Sequence, residues 1–176
     1  MRIAPYFTPI ALAAVVTCSP AASLSFAEQT RLMASAQLVI EAVRRGDAQT
    51  VAAHTSPLIS RVGISMDSIV RSTQDVVAQA AASGMSLDRA DLGQPSALYE
   101  ATGAEFCFIP YRLEIHMPAH KGRSIGFLVA VLEEPKGEWK FLDGSFLQAH
   151  PDGLRKLLPG LPEGIELSAS RNEFDN

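Results

Sequence analysis

Two cysteines in 176 residues, at positions 18 and 107, exclude a disulfide framework of the kind that staples small secreted scaffolds. No glycine-rich loop suited to cradling phosphate occurs, and no serine stands in a nucleophile-elbow context. Basic residues are also in short supply: 15 Lys and Arg face 19 Asp and Glu, for a net charge of −4. That balance gives no attraction to nucleic acid or to an anionic membrane surface. The longest leading apolar stretch, Ile10 to Val16, is too short to span a bilayer, so stable membrane insertion is not expected. Internal repeats, heptad arrays and low-complexity tracts are absent as well, which excludes solenoids and coiled coils.

What is present begins with a leader. Arg2 is followed by an uncharged run from Ile3 to Ala27 that contains the Ile10 to Val16 core and ends in Ser25-Phe26-Ala27. A basic start, an apolar core and small residues at the minus-three and minus-one positions make up a secretory signal peptide, with cleavage expected near Ala27. The protein is therefore expected to be exported, periplasmic or extracellular. Lipid anchoring at Cys18 is the less favoured outcome, because Val15-Val16-Thr17 lacks the small residues usual before a lipidated cysteine. Cleavage removes 27 of the 176 residues and leaves 149, enough for one domain with its own core. It leaves Cys107 alone, flanked by Phe106 and Phe108, which reads as a small buried apolar side chain.

From Glu28 to Arg45 the apolar positions Leu32, Ala36, Val39, Ile40 and Val43 recur at the spacing of one helical face, closed by Arg44, Arg45 and Gly46. Asp47 caps a second, shorter helix over 48–53, which His54-Thr55-Ser56-Pro57 ends. A third helix is expected over 66–83, with Ser65 as cap and Ile69, Val70, Thr73, Val76, Val77 and Ala80 on one face. The period then changes to two. Phe106 to His116 carries Cys107, Ile109, Tyr111, Leu113 and Ile115 on one side and, later, Arg112, Glu114 and His116 on the other. Ser124 to Leu132 is apolar on both sides, and Trp139 with Phe141 marks a third strand. Shorter strand signals lie at 87–92 and 97–101, a single helical turn at 151–158, and a polar, frayed tail from 171 to 176.

Helices first and a long-stranded meander second predict an α+β fold. In it the N-terminal helices pack on a strongly curved antiparallel sheet, a cone-shaped roll formed by a single domain over 28–170. The order of a long helix, Arg45-Gly46-Asp47 and a closing Gly-Glu-Trp-Lys-Phe-Leu-Asp-Gly at 137–144 resembles the nuclear transport factor 2-like, or cystatin-like, superfamily. More narrowly, it is similar to secreted bacterial members without an assigned function. The resemblance covers most of the mature chain through short motifs. It implies a cavity between sheet and helices, in a superfamily that includes isomerases, dehydratases, carrier-type binding domains and interaction modules.

The pocket-lining set expected on the concave face is Cys107, Ile109, Tyr111, Leu113, Phe127, Trp139 and Phe141. Only Tyr111 among these exchanges a proton, whereas the enzymes of the superfamily place aspartate, histidine or tyrosine there. Asp143 at a strand end and His54 on a helix are the other candidate acid and base groups. Arg112, Glu114 and His116 alternate on the opposite face and read as solvent-facing. His116 and His120 are four apart, but Met117-Pro118-Ala119 forbids a helix between them and no third ligand is near, so no metal site is expected. No cofactor is expected either. The sequence points to an exported, non-catalytic domain that binds a small apolar ligand or a protein partner in or near the pocket. The alternative is a small isomerase or dehydratase of the same fold that uses Tyr111 with Asp143 or His54. A homodimer through the sheet face bearing Phe106, Phe108, Arg112, Glu114 and His116 is a further expectation.

Overall fold

The structure, a computed structural model, describes residues 23–101, 104–133, 137–149, 151–159 and 170–175. Most of the expected leader, residues 1–22, and with it Cys18, lies outside the described residues. Helix α1 (Phe26–Arg45) starts at a capping box: Ser25 Oγ accepts from the Glu28 amide, and the Glu28 carboxylate accepts from the Ser25 amide. The helix therefore runs through Ala27, and Leu24 ahead of it packs against the core. At the other end Arg44 and Arg45 complement the helix dipole, and Gly46, at φ 70°, adopts the left-handed conformation that stops the helix. Asp47 caps α2 (Ala48–His54) by accepting from the Thr50 amide, a 3₁₀ helix follows at Pro57–Val62, and Ser65 caps α3 (Met66–Ala82). All three α-helices form where the apolar period places them.

The second half supplies β1 (Ser86–Leu92), β2 (Tyr99–Ala101), β3 (Ala104–His116), β4 (Lys121–Glu133) and β5 (Lys140–Asp143). Two short helices, α4 (Gly144–Ala149) and α5 (Pro151–Leu157), and a last strand β6 (Arg171–Phe174) complete the chain. Every strand pairing is antiparallel: the sheet runs β1-β3-β4-β5, with β2 beside β3 and β6 beside β4, and does not close into a barrel. A turn in which the Met117 amide donates to the His120 carbonyl joins β3 to β4. The fold is thus α+β, with N-terminal helices on a curved antiparallel sheet.

The core lies on both sides of that sheet. On one face Cys107, Ile109 and Leu113 of β3 and Leu128, Ala130 and Leu132 of β4 meet Leu32, Ala36, Val39 and Ile40 of α1. On the other face Phe106, Phe108, Phe127, Val129 and Val131 are covered by Leu58 and Ile59 of the 3₁₀ helix, Leu147 of α4 and Leu157 of α5. Phe106 sits at the centre of this second cluster, fully buried, stacked on Tyr99 at 5.5 Å and edge-on to Phe108 at 5.9 Å.

Three expectations are corrected here. The single helical turn near 151–158 is preceded by a helix, α4, and both cover the second face because β4, apolar on both sides, needs two covers. The apolar half of the expected dimer face, Phe106 and Phe108, is therefore spent inside the chain, and only Arg112, Glu114 and His116 remain exposed on it. The tail expected to fray at 171–176 instead adds β6 to the first residues of β4, and Glu173 bridges Arg123 and Arg171. A free strand edge with unpaired amides favours that addition.

One helix, α3, meets the clusters only through its first residue, Met66, which packs against the second. None of the 17 residues of α3 is buried, although its sequence is amphipathic. Val76 is 58 % exposed. Phe106→Ala is expected to cost about 3–5 kcal/mol, as truncations of buried aromatics do, whereas Val76→Ala should stay within about 0.5 kcal/mol. Chemical denaturation of both variants checks the contrast, and a large loss for Val76→Ala would place α3 in the core.

Candidate functional site

The spare face of α3 does not point into water alone. Ile69, Thr73, Val76, Val77 and Ala80 line a cavity of about 730 Å³ whose other walls are Val39 and Val43 of α1, Val51 of α2, and Leu128 and Phe141 of the sheet. Most of this lining is apolar, as in a binding cleft for an apolar molecule, although Arg44 and Arg45 also reach it. Its polar groups include His54, Thr55 and Asp143. A second cavity, also about 730 Å³, lies at the other end of α1 and is walled by Arg31, Ala34, Leu98, Leu132 and Trp139, with His54 again in its lining.

The expected pocket residues divide between these places. Phe141 lines the first cavity and Trp139 the second. Cys107, Ile109 and Leu113 share the predicted face but are sealed in the core beneath α1. Burial pushes the Cys107 thiol up to about 12, so it is an inert packing group. Phe127 is placed on the opposite face. The register pairs Cys107 with Ala130 and Ile109 with Leu128, so even positions of β4 share the face of odd positions of β3, and Phe127 joins Phe108 at 5.8 Å.

Tyr111 and Asp143, far apart in sequence, come together. The register sets Tyr111 opposite Gly126, and the ring crosses that glycine to bring its hydroxyl 3.1 Å from Ser145 Oγ and 3.5 Å from Asp143 Oδ1. A Cβ on Gly126 would stand 2.6 Å from the phenol oxygen, so the crossing requires glycine. Asp143 Oδ1 also accepts from the Ser145 amide at 2.9 Å, in the manner of a cap on α4. Burial first, then the charge of Asp143, pushes the Tyr111 hydroxyl up to about 12. It is a proton donor at neutral pH, not a base.

His54 closes α2 with Nδ1 3.0 Å from the Thr50 carbonyl oxygen. It shares the α3 cavity with Asp143, while Tyr111 lies beside Asp143 against the core beneath α1. His116 and His120 close the β3–β4 hairpin, and among the described residues no group of three or more His, Cys, Asp or Glu is placed to hold a metal ion. His150 lies outside the described residues. The role of α3 as a cavity wall was not expected from sequence, although a helix with so few long apolar residues on its face was the available signal. Compared with protein-family models, curated proteins and solved structures, the chain matches none.

Folding holds Tyr111 neutral to about pH 12, whereas an unperturbed tyrosine ionises at 10.0, so the stability it contributes is intact below pH 10 and lost as the pH rises toward 12. Spectrophotometric titration should show a late phase that Tyr111→Phe removes, with a smaller alkaline loss of stability. Gly126→Ala should shift that phase toward lower pH; an unchanged late phase would mean that the ring does not depend on crossing Gly126.

Proposed function

We propose that this protein is an exported, non-catalytic binding domain that holds a small apolar ligand in the cavity between α3 and the sheet. The observation that carries this reading is α3 itself, an amphipathic helix with no buried residue whose apolar side chains line a largely aliphatic cavity of about 730 Å³. A helix of this kind is stabilised mainly by burial of its apolar face, and here folding alone leaves that burial incomplete. The leader-like start supports export, and the helix-then-meander order supports the resemblance to the nuclear transport factor 2-like superfamily. A ligand is favoured over a protein partner because the apolar surface is a concave groove between the chain's own helices and sheet.

One observation favours a second reading. Tyr111 lies beside Asp143, and Asp143 and His54 line one cavity, so the groups that a small isomerase or dehydratase would use as acid and base belong to one region of the fold. Turnover of a candidate substrate that survives Tyr111→Phe and Asp143→Asn undiminished would end that reading.

Screening apolar metabolites by thermal shift tests the first reading. A ligand at 100 times its Kd is expected to stabilise the fold by about 2.7 kcal/mol. Val76→Asp puts a charge on the cavity wall at an exposed position, so it should leave the ligand-free stability nearly unchanged and abolish the shift. No stabilisation by any apolar compound, or an unaltered shift in Val76→Asp, would count against the cavity.

A further inference from the structure

Among the described residues, His54 is the one common to the linings of both cavities. Its chemistry at that position is fixed by its neighbour. Nδ1 lies 3.0 Å from the Thr50 carbonyl oxygen, which only accepts, so Nδ1 carries the proton. In the neutral ring Nε2 is then a bare acceptor.

Several polar groups near it are already engaged. The Thr55 hydroxyl donates to the Val51 carbonyl, and Arg44 is paired with Glu41. Lys140 Nζ donates to the Ala53 carbonyl and to Glu138, and Asp143 Oδ1 accepts from the Ser145 amide and from Tyr111. Among the described residues no hydrogen bond reaches Nε2, so an apolar ligand entering between α3 and the sheet, where His54 lines the cavity, would meet an acceptor without a protein donor. A ligand with no donor strips water from that nitrogen and gives nothing back. An ammonium group would satisfy it but would leave water for a lining that is mostly apolar, carries the cations Arg44 and Arg45, and holds one carboxylate, Asp143, already hydrogen-bonded. A neutral hydroxyl satisfies it at the lowest desolvation cost.

We propose that His54 is a specificity residue for the binding reading, selecting apolar ligands that carry a hydroxyl group, whose O–H donates to Nε2. This rests on the α3 cavity being a ligand pocket. It makes the ligand class an apolar alcohol instead of a hydrocarbon, an ether or an amine.

Decan-1-ol and its methyl ether, which differ in the donor and little else, test the proposal by displacing the fluorescent probe N-phenyl-1-naphthylamine. The alcohol is expected to bind about fivefold tighter than the ether, the effect of one net hydrogen bond. His54→Phe should erase the preference, so that alcohol and ether bind alike, and His54→Gln, which retains an acceptor oxygen, should keep part of it. In the unaltered protein the Nε2 nitrogen resonance should move with the alcohol and not with the ether, a readout that needs no variant to fold. Equal affinity for the two compounds, or a preference that survives His54→Phe, overturns the role of His54 and leaves the pocket standing. Displacement by neither compound overturns both.

Discussion

The antiparallel register of β3 against β4 decides which side chains meet anywhere in this protein. Each strand has thirteen residues, and the pairing runs without a slip from Ala104 with Glu133 to His116 with Lys121. A shift by one residue would send Ile109 to the face of Phe108 and carry Leu128 away from α1. Two features prevent that shift: the tight turn at 117–120, and a pattern in which both faces of the central residues are apolar but are filled by different shapes. The buried side chains that β3 and β4 turn to α1 are small or aliphatic, whereas their other face carries Phe106, Phe108 and Phe127 beside Val129 and Val131. The same register sets Tyr111 over Gly126 and turns Asp143, opposite Leu128, to the α1 face. The candidate site is a consequence of strand pairing before it is a consequence of any loop.

Between the two covers of the sheet, α3 is the unbalanced element. Helix α1 buries five residues, and α3 buries none in 17. Apolar area removed from water is worth about 25 cal/mol per Å², so apolar surface left unburied by folding is binding energy still available to another molecule. Its position says which molecule fits. The groove is walled by the protein's own helices and sheet, which suits a small ligand more than a broad protein surface.

The helices were legible in the sequence because each carries its own start and stop. Asp47 or Ser65 opens a helix and Gly46 closes one in the left-handed conformation, whereas Ser25, which caps α1, reads in the sequence as the end of the leader. Strand identity was legible from the period of two. Sidedness was not fully legible. Phe127 lies in a run that is apolar at every position, where alternation carries no information, and only the pairing of Leu128 with Ile109 assigns it to the second face. The second cover escaped for a related reason: α4 and α5 are too short for helical periodicity to separate them from turn. The strand at 171–174 is polar because it lies on an exposed edge, and its pairing is decided by the open amides of β4, which no local pattern in the tail reveals. The proximity of Tyr111 to Asp143 depends on Gly126 and on the register together, and neither is visible from the two residues alone.

That proximity bears on catalysis through how the hydrogen bonds are spent. Asp143 Oδ1 takes the Ser145 amide at 2.9 Å, a shorter contact than its 3.5 Å approach to the Tyr111 hydroxyl, so capping α4 is the stronger of its two engagements. Tyr111, held neutral to about 12, has its hydroxyl directed at Ser145 and Asp143 and packs against the core beneath α1. Both groups serve first to fix the start of α4 against β4, and with it the cover on the second face. His54 differs: one nitrogen ties it to its own helix and the other has no such duty. The side chain best placed to meet a ligand is therefore the one whose structural obligation occupies only half of its hydrogen-bonding capacity.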